Sequence, residues 1–174
     1  MKNIITWLLL GLSALPTAFG AVDNLKFSGA LVAEPCVIPP GQETVELSFG
    51  SVVDKYLYLN QRTPGAPFDI TLADCDLSLG KTVRVTLTGS ESMALPGLLA
   101  LTSGSQAEGI AIGLETPEGK AVPINRSGDK FSLVSGVNSI RLLAYVRGEP
   151  GAIANKTIGR GAFSAVATFS LEYE

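Results

Sequence analysis

Gly161-Ala-Phe-Ser-Ala-Val-Ala-Thr-Phe-Ser-Leu-Glu-Tyr173, with Glu174 after it, is the stretch whose reading decides the fold. Phe163, Ala165, Ala167, Phe169, Leu171 and Tyr173 share one parity, and Ser164, Val166, Thr168, Ser170 and Glu172 take the other. A period of two means a strand with one face turned to a core. No later sequence is there to pair with it, so one backbone edge is expected to be open, and an open apolar edge invites another chain.

A second alternating stretch lies near the other end, with Leu25, Phe27, Gly29 and Leu31 on one parity and Lys26, Ser28 and Ala30 on the other. Glycine weakens a strand, so Gly29 on the apolar parity suggests close approach to another backbone or a bulky side chain. Such an arm can pair within its own domain as a first strand, or it can supply a strand missing elsewhere.

Ahead of the arm, Lys2 provides a positive n-region, Ile4 to Leu12 an apolar h-region, and Ala18-Phe19-Gly20 a small-x-small site before Ala21. This reads as an export signal over residues 1–20. The alternative, a membrane anchor, is disfavoured because Gly11 and Pro16 keep the apolar run short. The expected exported chain, 21–174, has about 154 residues, enough for a single domain with a sizeable core. Without Lys2, 12 basic residues stand against 16 acidic ones, a net charge of −4. A mildly acidic chain without a basic run is a poor nucleic-acid binder.

Cys36 and Cys75 are the only cysteines. In an oxidising compartment an even count favours one disulfide. It would close a loop of about 40 residues and contribute about 3–4 kcal/mol by chain entropy. Two buried free thiols are the alternative.

Between the alternating ends, strands are expected at Val45–Phe49, Phe68–Leu72, Lys81–Leu87, Ile110–Glu115, Phe131–Val134 and Ser139–Val146. Ala121–Ile124 reads as a return strand, with Pro123 marking an edge or bulge. Residues 51–67, 88–109 and 148–156 read as loops, and no helical period stands out. Seven or eight short strands with turns every dozen residues or so indicate an antiparallel, immunoglobulin-like β-sandwich.

Several chemistries find no support. The sequence has no histidine, which removes the commonest general base and metal ligand. Asp74 and Asp76 could form an acid-base pair, but carboxylates at a strand end are usually solvated. Gly159-Arg-Gly161 lacks the context of a phosphate loop. Asn125-Arg-Ser127 and Asn155-Lys-Thr157 match a glycosylation acceptor pattern. Tyr56, Tyr58 and Tyr145 are either ligand-lining residues or half-buried strand aromatics. No catalytic residue, metal or cofactor is expected.

Taken together, the chain resembles the subunits of chaperone-usher fimbriae of the P-type and type 1-type, in particular minor, tip or adaptor subunits. Leu25-Lys-Phe-Ser-Gly-Ala-Leu31 looks like the family's donor arm, Pro35-Cys36 with Cys75 like its disulfide, and Ala107-Glu-Gly-Ile-Ala-Ile112 followed by Gly119 like its central hairpin. The alternation from Gly161 to the penultimate Tyr173 looks like its C-terminal motif. The short arm and Leu95-Pro-Gly-Leu-Leu99 favour a tip or adaptor over a major rod pilin.

The resemblance implies an incomplete immunoglobulin-like β-sandwich lacking its last strand, completed by a donor strand from another subunit or a chaperone. Residues 1–20 would be the signal peptide, 21–35 the donor arm and 36–174 the pilin domain. Leu25, Phe27, Gly29 and Leu31 would enter a neighbour's groove, and Phe163, Ala165, Ala167, Phe169, Leu171 and Tyr173 would line this subunit's own. Basic residues of a periplasmic pilus chaperone would grip the Glu174 carboxylate. An outer-membrane usher and neighbouring fimbrial subunits are the other implied partners, and the product is a fimbrium on the bacterial cell surface that supports adhesion. The competing reading is a self-contained exported β-sandwich binding a glycan or host protein through its loops.

Overall fold

Apolar residues at alternate positions from Ser139 to Val146 give the domain its longest strand, in which Ile140, Leu142, Ala144 and Val146 are buried. A computed structural model describes residues 25–31 and 33–174. Its elements are α1 (Asp54–Asn60), β1 (Ala66–Cys75), β2 (Thr82–Gly89), β3 (Ile110–Glu115), β4 (Lys130–Ser132), β5 (Gly136–Gly148), α2 (Pro150–Asn155) and β6 (Ala167–Tyr173). The chain divides into an N-terminal unit ending at Val32 and a domain, Ala33–Glu174. In the first unit, residues 25–31 form neither helix nor strand, and Leu25, Phe27 and Leu31 are exposed. The expected signal and its cleavage site lie outside the described residues.

The domain is an incomplete immunoglobulin-like sandwich of two antiparallel three-stranded sheets, β1-β5-β3 and β4-β2-β6. In the first sheet, β5 is central, with Ile70 opposite Ile140 on one side and Ile112 opposite Val146 on the other. In the second, β2 is central, with Val83 opposite Phe131 and Val85 opposite Leu171. Ile70, Leu72, Leu142 and Val146 meet Val83, Val85 and Leu87 in one buried cluster, the packing expected of two stacked sheets. Cys36 and Cys75 form the expected disulfide. It anchors the start of the domain, where Val37 exchanges backbone bonds of 2.9 and 2.8 Å with Ala73, to the end of β1.

Strand β3 is buried on both faces. A β-carbon on Gly113 would stand 2.2 Å from the Tyr145 ring, so the glycine lets that ring lie across the strand. The Arg62 guanidinium stacks 3.7 Å above the same ring and grips Glu115 with two bonds, of 2.8 and 2.6 Å. Glu115 is only 7% exposed, so it needs that cation.

Several expected boundaries differ from the structure. Val45–Phe49 joins no ladder. Ala121–Ile124 returns beside β3 through a 2.8 Å bond from Val122 to Leu114 without becoming a strand, consistent with Pro123, which has no N–H to donate. Two segments read as loops contain helices: α1, and α2 with Pro150 at its start. These helices of seven and six residues are too short to display a full apolar period. The terminal alternation is a ladder strand only from Ala167, giving six strands rather than seven or eight among the described residues.

Two outcomes follow. Cys36→Ala/Cys75→Ala should lower unfolding free energy by about 3–4 kcal/mol in urea titrations, through the 39-residue separation that the bond closes. Arg62 holds the Glu115 carboxyl below its ordinary 4.5, so the pair's stabilisation is complete above pH 4.5 and is lost as pH falls through the lowered folded value. Glu115→Gln should flatten that acid limb. Arg62→Met should cost about 1–3 kcal/mol at neutral pH, less than in a fully buried pair because the Arg62 side chain is 37% exposed.

Candidate functional site

Strand β6 pairs with β2 and, among the described residues, with no other strand. Thr82 and Glu174 exchange bonds of 3.1 and 3.0 Å at one end of the ladder, and Arg84–Glu172, Thr86–Ser170 and Thr88–Thr168 continue it at two-residue steps. Antiparallel alternation then turns the N–H and C=O of the odd residues Ala167, Phe169, Leu171 and Tyr173 to the opposite, free side. Upstream, the even residues are again the ones engaged. Ser164 O accepts from Thr102 N at 2.8 Å, and Ala162 O accepts from Gln106 N at 2.7 Å. Gly161, at φ 145°, fits this close pairing, because a β-carbon there would stand 2.4 Å from Gln106 Cβ.

The same odd positions carry the apolar side chains. Phe163, Ala165, Ala167, Phe169, Leu171 and Tyr173 are half-buried and pack on the core, while every even position from Ala162 to Glu174 is exposed. One parity therefore offers both half-covered side chains and an unpaired backbone edge. The structure brings together all six residues expected to line a groove.

The facing wall is one the sequence reading did not assign to the groove. Residues 43–52, bent at Glu43 and Thr44 and left-handed at Gly50, make no backbone-to-backbone hydrogen bond among the described residues. Leu47, Phe49 and Val52 are half-buried on the same core, and the Phe49 ring lies 6.1 Å from that of Phe163. Alternation at Val45, Leu47 and Phe49 was visible, but it suggested an ordinary ladder strand. At the Phe163 end a cavity of about 190 Å³ is lined by Val52, Leu57, Ala107, Ile110, Ile158 and Phe163. Arg160 and Asp54, joined at 2.6 Å, also border it.

At the other end, Lys130 and Arg84 hold the Glu174 side-chain carboxylate, and together they keep it below the ordinary glutamate range. Its main-chain oxygen accepts from Lys81 N and Thr82 N at 2.9 and 3.1 Å. These bonds pin the end of β6 to β2 and β4.

The remaining candidates have structural occupations. Tyr145 is buried under Arg62, whereas Tyr56 and Tyr58 lie on α1 rather than on a strand. Asp76 accepts from Ser78 N at 2.8 Å in a turn, and its carboxyl is lowered mainly by Ser78. Asp74 occupies a left-handed position at φ 52° beside the β1 irregularity. Both acceptor-pattern asparagines use their amide nitrogens, Asn125 on Gly89 O at 2.9 Å and Asn155 on Gly151 O at 3.0 Å. Leu95 and Leu99 are buried, and Gly97 N donates to Glu91.

An edge of this form can accept an extended segment, with ladder bonds giving affinity and alternate side chains giving register. The family model "Fimbrial protein" matches residues 25–174. The chain is 36% identical to the fimbrial-like protein YfcP of Escherichia coli K12, over 95% of this chain and 92% of that protein. It is 32% identical to PmfF of Proteus mirabilis, described as a candidate minor fimbrial subunit, over 100% of this chain and 97% of that one. The crystal structure of the P pilus rod subunit PapA superposes with a TM-score of 0.69 at 27% identity, covering 81% of this chain and all of that one. The chain belongs to the fimbrial protein family, the structural subunits of pili, and is not an enzyme.

Proposed function

We propose that this subunit polymerises by donor-strand exchange: the groove between residues 43–52 and the terminal stretch takes an extended arm, and the subunit's own residues 21–35 fill a neighbour's groove. The observation that carries this is the odd-parity edge of β6, unpaired among the described residues, whose half-buried apolar side chains share one core with those of a second stretch without backbone bonds, residues 43–52. Covering Phe163, Phe169, Leu171 and Tyr173 would add about 1 kcal/mol each, half of a full burial. The donor side chains are Leu25, Phe27 and Leu31, and Gly29 admits a bulky side chain of the acceptor. Exposure of these three in the described arm supports a strand supplied in trans over one folded back at home.

Before assembly, a periplasmic chaperone lends the strand and contacts Glu174, and an outer-membrane usher exports the subunit to the cell surface. Similarity to PmfF supports placing the chain among minor subunits, at a tip or adaptor position. Immunogold labelling at fibre ends would support that placement, and labelling along the shaft would reverse it.

The test of exchange is to refold residues 21–174 with and without a synthetic peptide of residues 21–35, following size-exclusion profiles and thermal melting. The expected result is a sharply melting monomer only with peptide. A stable monomer without it would establish the self-contained sandwich instead. Phe27→Asp should abolish polymer while leaving peptide capture by the subunit's own groove unchanged. Loss of capture in that variant would mean that the arm belongs to its own core.

A further inference from the structure

Strand β6 has no turn to set its register on β2. Strand β2 ends at Gly89 and β6 begins at Ala167, with β3, β4, β5 and α2 between them. In a hairpin the turn fixes register, whereas the apolar pattern by itself fixes only parity. Here parity leaves a choice. Val83, Val85 and Leu87 stand opposite Tyr173, Leu171 and Phe169, so a slip by two residues, about 7 Å, again sets apolar against apolar. On the outer face Thr86 and Thr88 stand opposite Ser170 and Thr168, and the same slip sets Thr86 opposite Thr168.

The contacts that would not survive a slip sit at the two ends of the stretch. At one end Glu174 O accepts from Lys81 N and Thr82 N, while Lys130 and Arg84 take the Glu174 side-chain carboxylate. Arg84 also donates to Gly128 O at 2.9 Å, and Gly128 lies so close to β2 that a β-carbon on it would stand 1.8 Å from Val85 O. Both cations belong to β2 and β4, so they stay in place if β6 moves. At the other end Ser164 N donates to Ser105 Oγ at 3.1 Å, Ser164 O accepts from Thr102 N at 2.8 Å, and the Ser164 and Thr102 hydroxyls lie 2.7 Å apart. A two-residue slip breaks both sets at once. Lys130 and Glu174 are half-exposed, and ion pairs of that kind add little to stability. Little is needed where the competing registers are nearly equal.

We propose that Glu174 and Ser164 are positioning residues that lock β6 in one register, and that this register selects the donor arm the edge accepts. The inference rests on the strand-acceptor reading above and adds the residues that set its selectivity. The Phe163 ring lies 6.1 Å from that of Phe49, and residues 43–52 follow a segment tied to β1 by the Cys36–Cys75 bond, so they do not travel with β6. Large and small places along the edge match those of residues 43–52 only while β6 keeps its register. An arm with Phe27 and Gly29 in their own order is in step with that arrangement, and an arm with the two exchanged is out of step by one slip.

The test is a competition. Residues 21–174 refold in an excess of two peptides in equal amounts, the native 21–35 sequence and the same peptide carrying Phe27→Gly and Gly29→Phe, one of them isotope-labelled, and mass spectrometry of the complexes reads the preference. Wild type should take the native peptide in about tenfold excess, because an aromatic side chain moved off its place forfeits much of its burial. Lys130→Met and Ser164→Ala should each lower that preference severalfold, and the double variant should bring it towards one. Lys130→Arg, which keeps the cation, should retain it. A merely structural role would reduce capture of both peptides alike and leave their ratio unchanged. An unchanged ratio in the double variant, or in both single variants should the double fail to fold, would overturn the proposal, as would wild type taking the two peptides equally. Failure of wild type to capture either peptide would instead overturn the strand-acceptor reading beneath it.

Discussion

Among the described residues, strand β6 is hydrogen-bonded along one side only, through its even-numbered residues, and this constraint organises the rest of the domain. Among the described residues the backbone donors and acceptors on the other side have no strand partner, while the side chains at the same positions rest half-covered on the core. Neither set is satisfied as a finished sandwich would satisfy it. The added strand proposed above would meet both needs at once, because its ladder bonds and its alternate side chains would arrive with the same period of two.

The two walls of the proposed groove are held by different means. Residues 43–52 follow a segment fixed to β1 by the Cys36–Cys75 bond and the Val37–Ala73 pair, so that wall is tied to the first sheet. The other wall is β6 itself, tied to the second sheet by β2 and by the contacts of Glu174 with Lys130 and Arg84. The groove is thus a seam between the sheets that is braced at its edges. On the outer face of the first sheet, Arg62, Tyr145 and Glu115 form a stacked and paired cluster that buries a carboxylate without leaving it uncompensated.

Much of this was legible before any coordinates. The period of two from Phe163 to Tyr173 marked the six residues that rest half-buried on the core, because burial on one face imposes alternation directly on residue type. Two cysteines in an exported chain pointed to the disulfide for a chemical reason. The helices were not legible: α1 holds one fully buried residue, Leu57, and α2 one, Ala152, too few to display a helical face. Val45–Phe49 was misjudged for the opposite reason. Its alternation is genuine and buries Leu47 and Phe49, but alternation reports which way side chains point and says nothing of who pairs with the backbone.

The sequence by itself determined the parity of each extended segment, the presence of one disulfide, the absence of histidine chemistry and membership of an all-β class. Each of these depends on residue type or local period. Only the tertiary structure decided that, among the described residues, β6 pairs with β2 alone, that Phe49 in the unbonded stretch 43–52 meets Phe163, and that Lys130 and Arg84 are the cations holding Glu174. Those are relations between residues far apart in the chain, set by strand order and register, and no local pattern encodes which neighbour a strand edge is left without.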